Sequence, residues 1–179
     1  MLERSGTSVR HACRHPDPAA RYAGRVQTQF DFEVAVTWTG SRGVGTVGHR
    51  DYDRDHIIAV DGLPDIAASA DRAFRGDASR HNPEQLLLAA LSGCHMMSLL
   101  FQAAAAGVVV VDYEDSASAV LKLQGTAGRI VSATLRPLVT IASADLDLAQ
   151  GLHGAAHHDC FIANSVSFPV TIEPTTVRA

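Results

Sequence analysis

Glu84, Cys94 and Cys160 are the residues of this chain whose types and spacing could do chemistry. A carboxylate and two well-separated thiols, in a sequence without secretory features, point to thiol redox chemistry rather than a structural staple, because intracellular disulfides tend to be catalytic or redox-sensing. Cys160 follows His157, His158 and Asp159, and an imidazolium there is expected to lower its thiol pKa in a polar, reachable setting. Cys94 sits in an apolar run, where a free cysteine also packs as a small hydrophobe. His153 and His157 lie four apart on one helical face with Cys160 three further on, a partial zinc set that lacks a fourth donor and any CxxC or HExxH spacing. The third cysteine, Cys13, has no helix or partner to tune its thiol.

The elements that must position these residues follow from pattern. The strongest helix signal has Asn82 as N-cap, Pro83 at the first helical position and Glu84 at the positive end, then an apolar run to Ala106 that Gly107 stops. With few charges from Leu86 to Ala106, this helix is expected to be apolar nearly all round and buried, even between two chains. A second helix is expected from Asp145 to about Cys160, weakened by Gly151 and Gly154. Phe30 to Thr39 alternates as a strand, and the Gly40–Gly43 turn leads to Val44–Gly48 as its hairpin partner, with Arg42 at the tip. A short strand is expected around His56 to Val60, then a long polar connection to Arg80 with at most one helical turn. Val108–Leu123 and Arg129–Ile141 read as a second hairpin about the turn at 124–128, and Ser165–Glu173 as a closing strand that Pro169 places at an edge or bulge. Strands, helix, strands, helix, strand is an α+β order.

Composition bounds the partners. The 179 residues are 46% apolar with a formal net charge of −4, which gives no basic footprint for nucleic acid. The apolar run Ala103–Val111 is short of the roughly 20 residues that cross a bilayer, so no membrane span is expected. Residues 1–29 carry five arginines and two histidines but no apolar signal core. They read as a flexible N-terminal extension to a domain at 30–179, and the location as cytoplasmic.

Asn82-Pro83-Glu84-Gln85-Leu86, then Ala90-Leu91-Ser92-Gly93-Cys94, then Cys160 ahead of a terminal strand, resembles the OsmC/Ohr family of thiol-dependent peroxidases. Trp38-Thr39-Gly40-Ser41-Arg42-Gly43-Val44-Gly45-Thr46 resembles that family's first hairpin, so the likeness covers about residues 30–175. It implies antiparallel sheets around a long central helix in an intertwined homodimer that reduces organic hydroperoxides. Cys94 would attack the peroxide and Cys160 resolve the sulfenic acid to a disulfide. A dithiol reductant, in the family often a lipoyl group, would reopen it, and no cofactor is implied. Arg42 would favour the thiolate of Cys94, and Glu84 would orient that guanidinium by a bidentate contact; Arg50 and Arg80 are the substitutes if the hairpin aligns differently.

An unbroken helix puts Glu84 about 15 Å along the axis from Cys94, so either the helix breaks or the partner's copy of this glutamate serves the site. The helix's apolar surface favours the second and predicts a site shared between chains. Apolar walls from Phe101 and Phe161 are expected to favour lipid-like or aryl peroxides. Gly93-Cys94-His95 departs from the family's small-Cys-aromatic setting, Cys160-Phe161 lacks the following proline, and His95 should face away from the thiol. Two other readings remain: a non-catalytic member that binds a small hydrophobic ligand, and a zinc-binding protein using His153, His157 and Cys160.

Overall fold

The computed structural model of the chain describes residues 28–142 and 145–179. Cys13 and all but the last two residues of the expected extension 1–29 lie outside them. The chain divides into two compact units, Met1–Val34 and Ala35–Ala179, and residues 28–34 of the first form no helix or strand. Everything that follows concerns the second.

That unit is α+β, as the order of elements predicts. Three short strands, β1 (Ala35–Trp38), β2 (His56–Ala59) and β3 (Ile66–Ala68), form one antiparallel sheet. The expected Val44–Gly48 strand does not form. β1 pairs instead with β2, from Ala35 opposite Ala59 to Trp38 opposite His56. The ladder runs on into the long loop between them, where Thr39 N–H donates to Asp55 O and Asp53 N–H to Gly40 O, both at 2.9 Å. Gly40 is required there because a Cβ would sit 2.1 Å from the Asp53 carbonyl oxygen. β1 begins five residues later than the alternation predicts, and β2 ends at Ala59 before a turn that closes through Leu63 N–H to Val60 O. β3 lies inside the stretch read as a connection, beside one 3-10 turn at Arg72–Phe74.

Helix α1 (Pro83–Ala105) starts where the sequence says it must. Asn82 Oδ1 accepts from Gln85 N–H at 2.8 Å, while Gln85 Oε1 accepts from Asn82 N–H at 3.2 Å, a reciprocal capping box. It ends at Gly107, whose φ of +71° lets Val108 N–H turn back to Ala103 O. Within one chain its burial is one-sided. Leu91, His95, Leu99 and Ala103, spaced by four, form one buried stripe, whereas Met97 and Phe101 are 62% and 69% exposed. A helix has one face per neighbouring layer, and one chain supplies a layer on one side only. At 23 residues α1 could, by length and composition, cross a bilayer. That corrects the reading that no such segment exists, although here its inner face packs on α2, β4 and β6.

β4 (Val110–Asp115), β7 (Pro137–Ile141) and β9 (Thr175–Arg178) form a second sheet, and β5 (Ser118–Gln124), β6 (Ala127–Leu135) and β8 (Val170–Ile172) a third. The predicted second hairpin is real only as β5–β6, closed at Gly125 with φ +63°. Each of its expected long strands is cut in two and shared between sheets. The cut in the second falls at Arg136, whose N–H donates to the Asp115 carboxylate at 2.7 Å rather than to a strand, and the next residue, Pro137, has no N–H. The closing strand shortens to β8, at a sheet edge beside Pro169, and β9 follows Pro174 as a strand the sequence did not announce.

Helix α2 (Leu146–His158) is capped by Asp145, whose carboxylate accepts from the N–H groups of Asp147 and Leu148. Its interior glycines do not break it, because Ala149, His153 and Ala156 are buried in the contact with α1 and β9. Replacing the α1 cap, Asn82→Ala, is predicted to cost about 1 kcal/mol. Urea denaturation would check it as a lower midpoint at unchanged slope.

Candidate active site

Cys94 lies midway along α1 with Met97, Ser98 and Phe101 on the same side of the helix, and these four residues form one wall of a cavity of about 620 Å³. The end of α2 and the segment after it form the opposite wall, through His158, Asp159, Phe161 and Asn164. Both phenylalanines expected as apolar walls are there. Cys94 is 8% exposed, a sulfur at the surface of a mostly apolar hollow.

Cys160 directly follows the Asp159 cap of α2 and is 1% exposed. Its side chain neighbours that of Cys94, and the backbone N–H groups of Ala163 and Ile162 lie close to its sulfur. Both cysteines are free thiols. Burial pushes the Cys160 thiol above its ordinary range, and the neighbouring Cys94 sulfur adds to the rise. This corrects the expectation of a reachable, activated Cys160. A sulfenic acid formed on Cys94 would have that protonated thiol as a neighbour.

Behind the thiols, His95 and His153 join α1 to α2. His95 faces away from the cavity as expected, its Nε2 lying 3.1 Å from His153 Nδ1, with the rings 5.4 Å apart and nearly parallel. Both side chains are buried, and the far nitrogens, His95 Nδ1 and His153 Nε2, have no partner. Burial lowers the pKa of each, with His157 adding to the effect on His95, and His153 falls to about 4. The pair is therefore neutral at physiological pH. Because His153 points at His95, it does not join His157 and Cys160 in the zinc set considered above, and no group of three or more His, Cys, Asp or Glu side chains able to hold a metal ion occurs among the described residues.

Arg42 and Glu84 do not line the cavity within one chain. Arg42, at φ +50° in the β1–β2 loop, makes the anticipated bidentate contact, but with Asp53: its Nε donates at 2.8 Å and a second nitrogen meets the other carboxylate oxygen. That guanidinium holds the Asp53 carboxyl below its usual range. Glu84 occupies the first turn of α1. The substitute Arg80 is bound to Asp55 and Asp77. What sequence reasoning placed differently is the rim. His158 and Asp159 border the cavity of Cys94, not a polar setting for Cys160, and Gln102, one helical turn beyond Ser98, joins them.

Fold and site together define a class: α+β proteins that hold two neighbouring thiols between a long central helix and the end of a second one. The chain belongs to the OsmC-like protein family, whose model matches residues 76–175. It is 30% identical to an OsmC-like protein of unknown function from Vibrio cholerae, over 82% of this chain and all of that one, with a TM-score of 0.74. The organic hydroperoxide resistance protein OhrB of Bacillus subtilis is similar in fold at 21% identity and a TM-score of 0.56, over 83% of this chain and 98% of its own. An organic hydroperoxide resistance protein OsmC from Legionella pneumophila covers the same shares at 17% identity and a TM-score of 0.60. No curated protein matches the sequence.

The histidine pair makes stability acid-sensitive in a defined window. Unfolded, His153 takes its proton near pH 6.5, but in the fold only near 4. Between these values the unfolded chain binds the extra proton, so stability is full above about 6.5 and falls until pH reaches about 4, by about 1.4 kcal/mol per unit at most. His153→Leu is predicted to flatten that part of the curve, which urea midpoints for both proteins from pH 7.5 to 4 would measure.

Proposed function

We propose that this protein is a cytoplasmic, homodimeric thiol peroxidase that reduces organic hydroperoxides to alcohols with Cys94 as attacking thiol and Cys160 as resolving thiol. The observation that carries this reading is the placement of Cys94 at the wall of an apolar cavity with the buried Cys160 thiol beside it, together with family membership and fold relatives named for hydroperoxide resistance. The Cys94 thiolate attacks the distal oxygen of ROOH; an S–O bond forms, the O–O bond breaks and ROH leaves. The sulfenic acid then condenses with the Cys160 thiol, releasing water and leaving a disulfide. A dithiol, for which a lipoyl protein is the proposed source, reopens it by exchange, giving two electrons and two protons to the protein thiols and leaving as its own disulfide. Free thiols suit a reducing compartment.

The dimer is proposed because one chain leaves apolar surface unpartnered: Met97 and Phe101 on α1, and β1, where Val36 is 64% and Trp38 44% exposed. In such a dimer Arg42 and Glu84 serve a site shared between chains. Mixed dimers of Cys94→Ser and Glu84→Gln protomers would then regain about half of wild-type activity, since one complete site forms per dimer. Recovery no greater than that of the parent variants would refute sharing.

Free-thiol titration with peptide mapping after one equivalent of cumene hydroperoxide tests the cycle itself. Wild type should lose two thiols to a Cys94–Cys160 disulfide, and Cys160→Ser should instead hold a Cys94 sulfenic acid. Thiols that remain unchanged would leave a protein that binds an apolar ligand in the same cavity. Hydrogen peroxide should oxidise Cys94 more slowly than cumene hydroperoxide, and equal rates would count against apolar selection.

A further inference from the structure

The proposed reaction needs two proton movements that the thiols cannot supply. Cys94 must lose a proton to become a nucleophile, and the departing alkoxide must gain one. Cys160 keeps its proton until the second step, and Arg42 is engaged by Asp53. The titratable side chains that border the cavity are Cys94, His158 and Asp159; α1 and the segment after Cys160 contribute only apolar and neutral polar groups there. His95 and His153 lie buried on the other side of α1, tied to each other.

We propose that His158, oriented by Asp159, is the acid–base residue of this site, an inference that rests on the peroxidase reading. His158 Nδ1 lies 2.8 Å from Asp159 Oδ1. The other carboxylate oxygen, Oδ2, accepts from Gln102 Nε2 of α1 at 2.7 Å, and Asn164 Nδ2 donates to the His158 carbonyl at 2.8 Å. The carboxylate is thus tied to α1 and the His158 backbone to the segment after α2, while the ring itself is held through Asp159. A carboxylate at Nδ1 holds the proton there and leaves the lone pair on Nε2, the tautomer a general base needs.

The steps balance. Nε2 takes the Cys94 proton, directly or through one water, and the thiolate attacks the distal oxygen of ROOH. As the S–O bond forms and the O–O bond breaks, the imidazolium returns that proton to the alkoxide, giving ROH and Cys94–SOH with His158 neutral again. The side chain of His158 is 88% exposed, so it exchanges protons freely with water between turnovers.

The test compares wild type, His158→Ala, His158→Gln and Asp159→Asn in two assays from pH 5 to 9: kcat/KM for cumene hydroperoxide, and the rate of Cys94 alkylation by iodoacetamide in the reduced protein. His158→Ala should lose roughly 100-fold in kcat/KM, as for loss of a general acid–base group, together with one limb of the pH profile. Added imidazole should restore part of the rate to His158→Ala but not to His158→Gln. Asp159→Asn should lose less and shift the limb. Variants within twofold of wild type, or a loss without imidazole rescue and with an unmoved limb, would overturn the assignment. Should wild type itself not turn over the peroxide, the peroxidase reading fails. Alkylation then decides alone whether His158 is the base for Cys94, by whether its pH profile changes in His158→Ala.

Discussion

The contact between α1 and α2 is the constraint on which the site depends. Two thiols far apart in the chain become neighbours because His95, Leu99 and Ala103 of α1 lie against Ala149, His153 and Ala156 of α2. Alanines at the α2 surface let the helices approach closely, and the same approach brings the end of α2, with Cys160, to the level of Cys94. The tie within this seam is polar. His95 and His153 share one hydrogen bond and leave two buried nitrogens unpartnered, a costly arrangement in an apolar core that fixes how the helices meet along their length.

Burial then sorts the chemistry. Groups deep in the seam are held neutral: Cys160 and the Tyr113 hydroxyl retain their protons because burial disfavours their anions, and the two histidines stay unprotonated because it disfavours their cations. Charge is left to the rim, where His158 and Asp159 meet water. The cavity therefore pairs an apolar interior, suited to the organic part of a substrate, with one polar edge. Further out, the Arg42–Asp53 pair stabilises a β1–β2 loop that carries left-handed backbone at Arg42, Gly43 and Gly45. Its role within one chain is to shape that loop.

Sequence logic worked best where a local interaction decides the outcome. The start of α1 was legible because the capping box, proline and acidic first turn act within four residues, and its end because Gly107 adopts the left-handed conformation that terminates a helix. Asp145 announced α2 for the same reason, and Gly125 the β5–β6 turn. Where the expectation failed, a distant partner had intervened. Asp115 captured the Arg136 amide and cut a long strand in two, and β1 paired with β2 rather than with Val44–Gly48.

The site divides along the same line. Residue type and order alone supplied the family likeness, and through it Cys94 and Cys160 as candidate thiols, since helix signals and cysteine chemistry are properties of short segments. Only the tertiary structure decided that Cys160 is sealed and holds its proton, that His158 belongs to the cavity of Cys94, and that Asp53 rather than Glu84 grips Arg42 within one chain. Those outcomes depend on burial and on the distance between groups from separate elements, and neither quantity exists until the helices and sheets have packed.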